Sequence, residues 1–461
     1  MPNDSKHSLS QATHGEKSND GTTRRPSLHR IAASLGDDPG GIAAPRAAAM
    51  AQAGDAGRFP HPPYASREEA EAAYARHVSG GHRKNLAPLA INVHYGERKG
   101  ARIRDAYTGR WYWDCHRVGS TFNLGHHHPE IVAALRAAMD RVDAGCFMQL
   151  SGYRAKVAEQ LAASTEGKLT GVTFGVGGTC ANEIAIHAAR RHTGRQGLVA
   201  IAATSYHGSS DLALSISGIS RSHRDHYLVD ASRTTWVPFN DLEAMKAAIT
   251  DDIAAVVMEP TPAQGGFPVP HPGYLEGVKK LCEARGALLV MDEVQTGLGG
   301  TGKVWAYQNF EFIPDILTTG KGFGGGVYPI SAAIMEASVW HSYTDDQAVP
   351  HESTYAGSEL GCVVASKVLE LTTDPGFLAR VNEVADRFAD GFARAPFKLN
   401  QLGLCMGLHA DDPLRSAARL AEAGVLVLPS FDAPVVPFRP ILTLEDQEVD
   451  DIVERVLGAM A

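Results

Sequence analysis

Between about residues 150 and 375, short apolar runs typical of strands alternate with stretches of helical period, and this alternation restricts the fold more than any other feature. The runs are GVTFG, GLVAIAATS, IAAVVMEP, ALLVMDE and DILTTG. Runs that are apolar throughout are typical of parallel strands, because helices cover both faces of a parallel sheet. We therefore predict an α/β protein built on a mostly parallel sheet with helices on both sides.

The rest of the chain is organised around this region. Residues 1–60 are rich in Ser, Gly, Ala and Pro, so we expect a flexible N-terminal arm; a strap across the body or a partner subunit is the alternative. Residues 61–145 are predicted to form the N-terminal part of a small domain, and residues 146–375 the large domain. The short strands and two helices expected in residues 376–461 predict the C-terminal part of the small α/β domain.

Composition favours a small-molecule partner. The net charge is −9, and no basic run suggests binding to nucleic acid or to an anionic membrane. No segment approaches the roughly 18 consecutive apolar residues of a membrane span, and the polar N-terminus lacks the apolar core of a signal peptide. The six cysteines are far apart and form no C-x-x-C pair, which favours reduced thiols in the cytoplasm.

Charged residues end three of the predicted strands. Ligands collect at the carboxyl ends of strands in open α/β sheets, and there the chain has Glu259, Asp292 and Lys321. Taken alone, Asp292 is also explained by a helix or turn cap, and a lone lysine at position 321 is better explained by a solvated loop. Together they predict one site, in which a lysine with a lowered pKa is a nucleophile for a carbonyl.

A glycine loop before a helix predicts a phosphate site beside these charges. In VTFGVGGTCANEIAIHAARR, Gly178 and Thr179 begin the helix, where backbone amides and the helix dipole favour an anion. Tyr206, after another strand, is either a core residue or a ring that stacks on a planar ligand. A phosphate site, a buried carboxylate and an amine nucleophile are what pyridoxal phosphate requires.

With these residues assembled, the chain resembles the class-III, or ornithine and omega, aminotransferases over about residue 93 to the C-terminus. The resemblance rests on the blocks DAYTGRWYWD, GHHHPEIVAAL, GGTCANEIAIHAARR, SYHGSS, VVMEPTPAQGG, LLVMDEVQTG, PDILTTGKGFGGGVYPISA and HESTYAGSELGC. It implies the fold-type I architecture: a large domain with a mostly parallel seven-stranded sheet between helices, and a small α/β domain from the N- and C-terminal segments. It also implies pyridoxal phosphate as the cofactor.

The resemblance assigns the reacting groups residue by residue. Lys321 is similar to the lysine that forms the Schiff base with the cofactor and moves the proton of the substrate. Asp292 is similar to the partner of the pyridinium nitrogen. Gln295 matches the residue that contacts the phenolic oxygen, although an exposed turn glutamine explains the same position.

Further cofactor contacts follow from the same blocks. Gly178 and Thr179 match the phosphate loop, Tyr206 matches the stacking aromatic residue, and His207 follows it in the cofactor site. Thr354 matches the threonine that reaches the phosphate of the neighbouring subunit. The resemblance therefore implies a homodimer with shared active sites.

The substrate side departs from the family pattern. Gln264 stands where many members have a glutamate, and Pro437 where they have an arginine; Arg439 lies two residues further on. Because the acid and its counter-charge are missing together, neither is left unpaired. We list Gln264 and Arg439 as candidate substrate contacts, with His116 and Arg117 as an alternative source of an anion contact.

Three consecutive histidines, His126, His127 and His128, could indicate a metal site. Adjacent residues point in different directions, so the three cannot easily bind one ion. The family has a histidine-containing turn at this place, and we predict no metal.

The predicted function is transamination. Through an internal aldimine at Lys321 and pyridoxamine phosphate, an amino group would pass from an amine or amino acid donor to a keto acid, aldehyde or ketone acceptor. A racemase or epimerase, an aminomutase or a decarboxylase with the same cofactor is the alternative, and a non-catalytic protein that binds pyridoxal phosphate is a more remote one.

Overall fold

The computed structural model of the protein describes residues 62–81, 92–145, 149–346 and 350–461. The predicted N-terminal arm, residues 1–60, lies outside the described residues. All described residues belong to one compact unit. Within these ranges, no helix is long and apolar enough to cross a membrane.

The described residues contain fourteen strands and thirteen longer helices. The strands are β1 (Tyr95–Lys99), β2 (Arg102–Asp105), β3 (Trp111–Asp114), β4 (Gly171–Gly175), β5 (Gly197–Ile201), β6 (Thr234–Val237), β7 (Ile253–Met258), β8 (Leu288–Asp292), β9 (Ile316–Thr319), β10 (Ser331–Met335), β11 (Leu399–Leu402), β12 (Cys405–His409), β13 (Val425–Leu426) and β14 (Val435–Phe438). The helices are α1 (Arg67–His77), α2 (Pro129–Met139), α3 (Gly152–Ser164), α4 (Gly178–Thr193), α5 (Asp211–Ser215), α6 (Arg221–Tyr227), α7 (Leu242–Ala248), α8 (Tyr274–Arg285), α9 (Ala337–Thr344), α10 (Glu359–Thr372), α11 (Pro375–Phe392), α12 (Pro413–Glu422) and α13 (Asp446–Met460).

Seven strands form the central sheet, in the order β4-β10-β9-β8-β7-β5-β6. The five strands from β9 to β6 run parallel to one another, while β10 is antiparallel to both of its neighbours. The strands predicted from apolar runs are all present. The mostly parallel, seven-stranded sheet is therefore confirmed.

Helices cover both faces of this sheet, because alternate side chains of each strand point to opposite sides. Val256 and Met258 of β7 belong to one hydrophobic core, which includes residues of α2, α3, α8 and α10. Val257 of the same strand belongs to a second core, formed mainly with α4 and α9. Burial on both faces explains why the sequence of β7 is apolar throughout.

Two smaller sheets lie outside the central sheet, and the first of them joins the N-terminal and C-terminal parts of the described chain. One has the order β1-β2-β3-β13, with β13 parallel to β3, and the other is the antiparallel sheet β11-β12-β14. A third hydrophobic core packs Trp113, Phe388 and Phe438 with residues of α12 and α13. The division into domains at residues 145 and 375 stays a prediction.

Phe388 tests the contribution of this third core to stability. Its ring is fully buried and lies edge-on to the ring of Phe438, with 5.8 Å between the centroids. We expect Phe388→Ala to lower the free energy of unfolding by about 3–5 kcal/mol, because a large cavity replaces the ring. Urea denaturation followed by circular dichroism measures the change.

Leu414→Ala is the matched control, because the side chain of Leu414 is 42% exposed. We expect this control to change the free energy of unfolding by less than about 0.5 kcal/mol. An effect of Phe388→Ala no larger than that of the control would contradict the assignment of Phe388 to a packed core.

Candidate active site

The carboxyl ends of three neighbouring parallel strands bring the predicted charges together. Asp292 is the last residue of β8, Glu259 directly follows β7, and Lys321 follows β9 by two residues. Because these strands are parallel neighbours, their carboxyl ends meet at one edge of the sheet. The predicted cluster of Asp292, Glu259 and Lys321 is therefore present.

Asp292 is held by three donors from different parts of the chain. Its Oδ2 lies 2.7 Å from Nδ1 of His207 and accepts a 2.7 Å hydrogen bond from Nδ2 of Asn182. Its Oδ1 accepts from the backbone N–H of Val294 at 3.0 Å. Asn182 is fixed in turn by Thr318, whose hydroxyl donates to Oδ1 of Asn182 at 2.7 Å. The carboxylate is thus buried with a fixed position and orientation.

Asn182 is absent from the residues predicted for the site. It lies inside α4, one turn after the glycine loop, and it is fully buried. Asparagine is unfavourable inside a helix, and burying it without hydrogen bonds costs free energy. An asparagine inside this predicted helix could therefore have indicated a buried polar contact.

Lys321 begins a short 3-10 turn with a left-handed backbone, φ +44°. Its side chain stays partly accessible, and its Cε lies 3.2 Å from the point that a Cβ on Gly119 would occupy. Burial lowers the pKa of the Lys321 amine, the carboxylates of Asp292 and Glu259 oppose this shift, and the guanidinium of Arg439 adds to it. The amine therefore loses its proton more readily than an exposed lysine.

The N-terminus of α4 lies beside the lysine. A Cβ on Gly320 would lie 3.1 Å from the backbone nitrogen of Gly178, and a Cβ on Gly178 would lie 2.6 Å from Cγ1 of Val294. Gly208, with φ +136°, packs so closely on the side chain of Thr179 that a Cβ would collide with it. The first N–H groups of a helix have no partner within the helix, so they are available to an anion.

Glu259 organises the region next to Tyr206 and Gln295. Its Oε1 accepts from the backbone N–H of Tyr206 at 3.1 Å, and its Oε2 accepts from the N–H of Ala263 at 3.1 Å and from Nε2 of Gln295 at 3.5 Å. Burial, with the charge of Asp292 second, raises the pKa of Glu259 to about 7. The hydroxyl of Tyr206 lies 3.0 Å from that of Ser209. Glu259 was predicted at a strand end, but its contacts with the site were not.

Gln295 also contacts Arg439, and two further basic side chains lie near this arginine. Oε1 of Gln295 accepts a 2.8 Å hydrogen bond from Nη1 of Arg439, whose guanidinium lies 5.5 Å from the ring centroid of Phe267. Burial lowers the pKa of Arg439 to about 10, and the nearby Arg117 adds to this shift. Burial and then the charge of Arg439 lower the pKa of His116 to about 3.

Two predicted residues remain apart from this cluster. The side chain of Gln264 is partly exposed, and its backbone carbonyl accepts from the hydroxyl of Ser430 at 2.8 Å. Thr354 is exposed in the turns before α10. Across the described ranges, no hydrogen bond joins the side chain of either residue to Lys321 or Asp292.

The side chains of the three consecutive histidines do not form a metal-binding cluster within the described residues. His126 is buried, and its Nε2 lies 2.8 Å from Oδ2 of Asp114. In the part of the chain that the structure describes, no group of three His, Cys, Asp or Glu side chains has the arrangement of a metal site.

The order of the sheet and the charged groups at its carboxyl edge define an α/β enzyme of fold type I, a class that binds pyridoxal phosphate. Residues 85–460 match the family Aminotransferase class-III. The chain belongs to this family, whose members are transaminases that depend on pyridoxal phosphate.

Relatives of known sequence and structure agree with this family. The chain is 37% identical over 398 residues to an uncharacterized aminotransferase of Archaeoglobus fulgidus, covering 84% of this chain and 93% of that protein. It is 34% identical over 362 residues to an acetylornithine aminotransferase of Methanosarcina mazei, covering 77% and 89%.

Its fold is similar to an ornithine aminotransferase of Toxoplasma gondii, with a TM-score of 0.77, 27% identity and coverage of 86% of this chain and 94% of that chain. That structure has partial occupancy of pyridoxal phosphate at its active site. The predicted fold, family and cofactor are therefore confirmed.

Pyridoxal phosphate fits the groups at the sheet edge. The cofactor needs donors for a phosphate, a carboxylate for a protonated ring nitrogen and an amine for its aldehyde. The N-terminus of α4, the fixed carboxylate of Asp292 and the amine of Lys321 provide these three chemistries on adjacent elements. His207 adds a buried Nε2 that has no hydrogen-bond partner among the described residues.

The charges around Lys321 predict how its reactivity depends on pH. We expect acetic anhydride to modify Lys321 of the apoprotein with a midpoint below the ordinary lysine pKa of about 10.4. Asp292→Asn should lower this midpoint further, because a carboxylate that stabilises the ammonium is lost. Arg439→Gln should raise it, because a repelling cation is lost. Peptide mass spectrometry measures the modified fraction at each pH, and shifts in the opposite directions would refute this electrostatic assignment.

Proposed function

We propose that Lys321 is the covalent attachment point of pyridoxal phosphate and the group that moves the substrate proton. The observation that carries this proposal is that Lys321 lies at the same sheet edge as a carboxylate fixed by three donors. Burial also lowers the pKa of the amine. The bound cofactor supplies an aldehyde that condenses with amines and a ring that withdraws electrons from the substrate carbon. The substrates are a small-molecule amine donor and a carbonyl acceptor.

The proposed task of Asp292 is to accept a hydrogen bond from the protonated ring nitrogen. An ionised carboxylate has about four acceptor positions, and His207, Asn182 and Val294 occupy three of them. One position therefore remains for the ring. Because the three donors fix the carboxylate, the ring nitrogen would be held without reorganisation of the site.

Lys321 would act as both base and acid at one atom, Nζ. Since burial favours the neutral amine, Nζ could accept the proton that leaves the substrate Cα. The same atom could then give the proton to the carbon that the cofactor's aldehyde contributes. The carboxylates of Asp292 and Glu259 favour the charged form, so the amine is not made so weak a base that it cannot hold the proton. Gln295 would contact the phenolic oxygen of the cofactor.

Gly178 and Thr179 would bind the phosphate with the N-terminus of α4, and Tyr206 would cover the ring. We also propose a homodimer in which Thr354 reaches the phosphate in a second copy. The support is that Thr354 is exposed and separate from the cluster of its own chain. The described cysteines are free thiols, which supports the proposed cytoplasmic location.

Replacement of the lysine tests the main assignment. We expect Lys321→Ala to lower transamination by at least about 1,000-fold, because covalent attachment and proton transfer both need the amine. Amine transfer from a panel of amines to keto acids measures the loss. Borohydride should attach the cofactor to Lys321 in the wild-type protein. The exposed Lys303→Ala variant is the control and should keep both properties; attachment at another lysine would overturn the assignment.

Mixed dimers test the proposed role of Thr354. We expect Thr354→Ala to weaken cofactor binding by about 10- to 100-fold, because a hydrogen bond to a charged phosphate is lost. A heterodimer of a Lys321→Ala chain and a Thr354→Ala chain should regain one intact site, since its lysine and threonine come from different chains. Cofactor titration of tagged, purified heterodimers measures this gain.

The two parent homodimers are the controls for this experiment. If Thr354 served the site of its own chain, the heterodimer would contain no intact site. Its affinity at the lysine-containing site would then equal that of the Thr354→Ala homodimer.

A further inference from the structure

Two buried arginines have donors that the described chain does not satisfy. Arg117 is 0% exposed, and Nε, Nη1 and Nη2 of its guanidinium have no nitrogen or oxygen partner; the side-chain contact of the guanidinium is with the thiol of Cys405. Arg439 is 1% exposed; its Nη1 bonds to Gln295, but its Nε has no partner. A buried guanidinium without an anion is costly, so this arrangement indicates that an anion completes it.

The carboxylate of Asp114 already has other partners and does not pair with the Arg117 guanidinium. Both oxygens of Asp114 are engaged: Oδ1 accepts from the backbone N–H groups of His116 and Arg117, and Oδ2 pairs with His126. Asp114 therefore holds the backbone of the turn that carries Arg117, while the guanidinium extends elsewhere. This turn is strained, with φ +51° at Arg117 and +47° at Val118.

The two guanidinium groups converge on the same region. The backbone N–H of Arg439 donates to the carbonyl of Cys115 at 2.7 Å, which joins the end of β14 to the segment before Arg117. Both arginines lie near the buried thiol of Cys405. Burial raises the pKa of this thiol, while the two guanidinium charges and a hydrogen bond with Arg117 lower it. A thiol whose pKa is raised remains neutral, so it does not compensate for two cations.

This region adjoins the reacting lysine. Oε1 of Gln295, which accepts from Arg439, lies 3.4 Å from the point that a Cβ on Gly119 would occupy. Cε of Lys321 lies 3.2 Å from the same point. Lys321 and Gln295 thus both pack closely against Gly119, where a Cβ would crowd them, so the lysine and the Gln295–Arg439 pair lie next to each other. An anion bound to the arginines would belong to a molecule that reaches Lys321.

We propose that Arg117 and Arg439 together bind a carboxylate of the substrate, so that the amine donor and the carbonyl acceptor are both carboxylic acids. This inference rests on the proposed function of Lys321. A carboxylate suits the site because the planar guanidinium presents paired donors that match its two oxygens. The phosphate of the cofactor has its own donors at the N-terminus of α4, so the two anions would not compete.

The test compares amines that differ by a carboxylate. The probes are 4-aminobutanoate against butylamine and L-alanine against ethylamine, each mixed with holoenzyme while the cofactor absorbance is followed through a single turnover. We expect the carboxylate member of at least one pair to react about 100-fold more efficiently in the wild-type protein. Arg117→Gln and Arg439→Gln should each reduce this preference by about 10- to 100-fold, mainly through weaker binding. The exposed Arg415→Gln variant should retain it.

A second measurement covers variants that fail to fold. On wild-type holoenzyme, propionate should inhibit amine transfer competitively, and its neutral analogue propionamide should bind at least about tenfold more weakly. Equal inhibition, or unchanged preference in a folded Arg117→Gln or Arg439→Gln variant, would overturn the assignment of that pair. Amine transfer without any preference for acids would reject this inference alone. No amine transfer from any amine would reject the proposed function itself.

Discussion

The hydrogen bonds that fix Asp292 are the interaction on which the site depends. A carboxylate buried at the end of a strand is unfavourable unless donors satisfy it, and its donors come from α4, from the segment after β5 and from the turn after β8. Asn182 also bonds to Thr318 of β9, which is the strand that leads to Lys321. One network therefore links the helix N-terminus, the carboxylate and the strand that carries the lysine. A shift of any of these elements would disturb the other two.

The charged groups around Lys321 carry an excess of positive charge, which suits anionic ligands. Lys321, Arg439 and Arg117 are basic, whereas burial raises the pKa of Glu259 to about 7, so this carboxyl group is partly neutral near neutral pH. Asp292 is then the main negative charge next to the lysine. The excess of cations favours a phosphate and a substrate carboxylate, and it also helps to lower the pKa of Lys321. The same charges would thus favour anionic ligands and the neutral form of the amine.

The sequence predicted the cluster of Asp292 and Lys321 better than the contacts around Arg439. Asp292 and Lys321 could be placed together because they end apolar runs, and parallel strands bring such ends to one edge. The contact between Gln295 and Arg439 could not be predicted in this way, because it depends on where a separate C-terminal sheet packs. Asn182 was missed for a related reason: its partners lie on β8 and β9, far away in sequence.

On the proposed assignment, both ends of the described chain contribute to the substrate side. β13 pairs with β3, and the N–H of Arg439 bonds to Cys115, so the C-terminal sheets set the position of the strained turn at Arg117. A basic residue in that turn can therefore lie near one that follows β14 without any involvement of the central sheet. On this proposal, the central sheet would hold the cofactor, while the smaller sheets would determine which acid is recognised. On this proposal, Arg117 and Arg439 together take the place of the arginine that the family pattern has at Pro437.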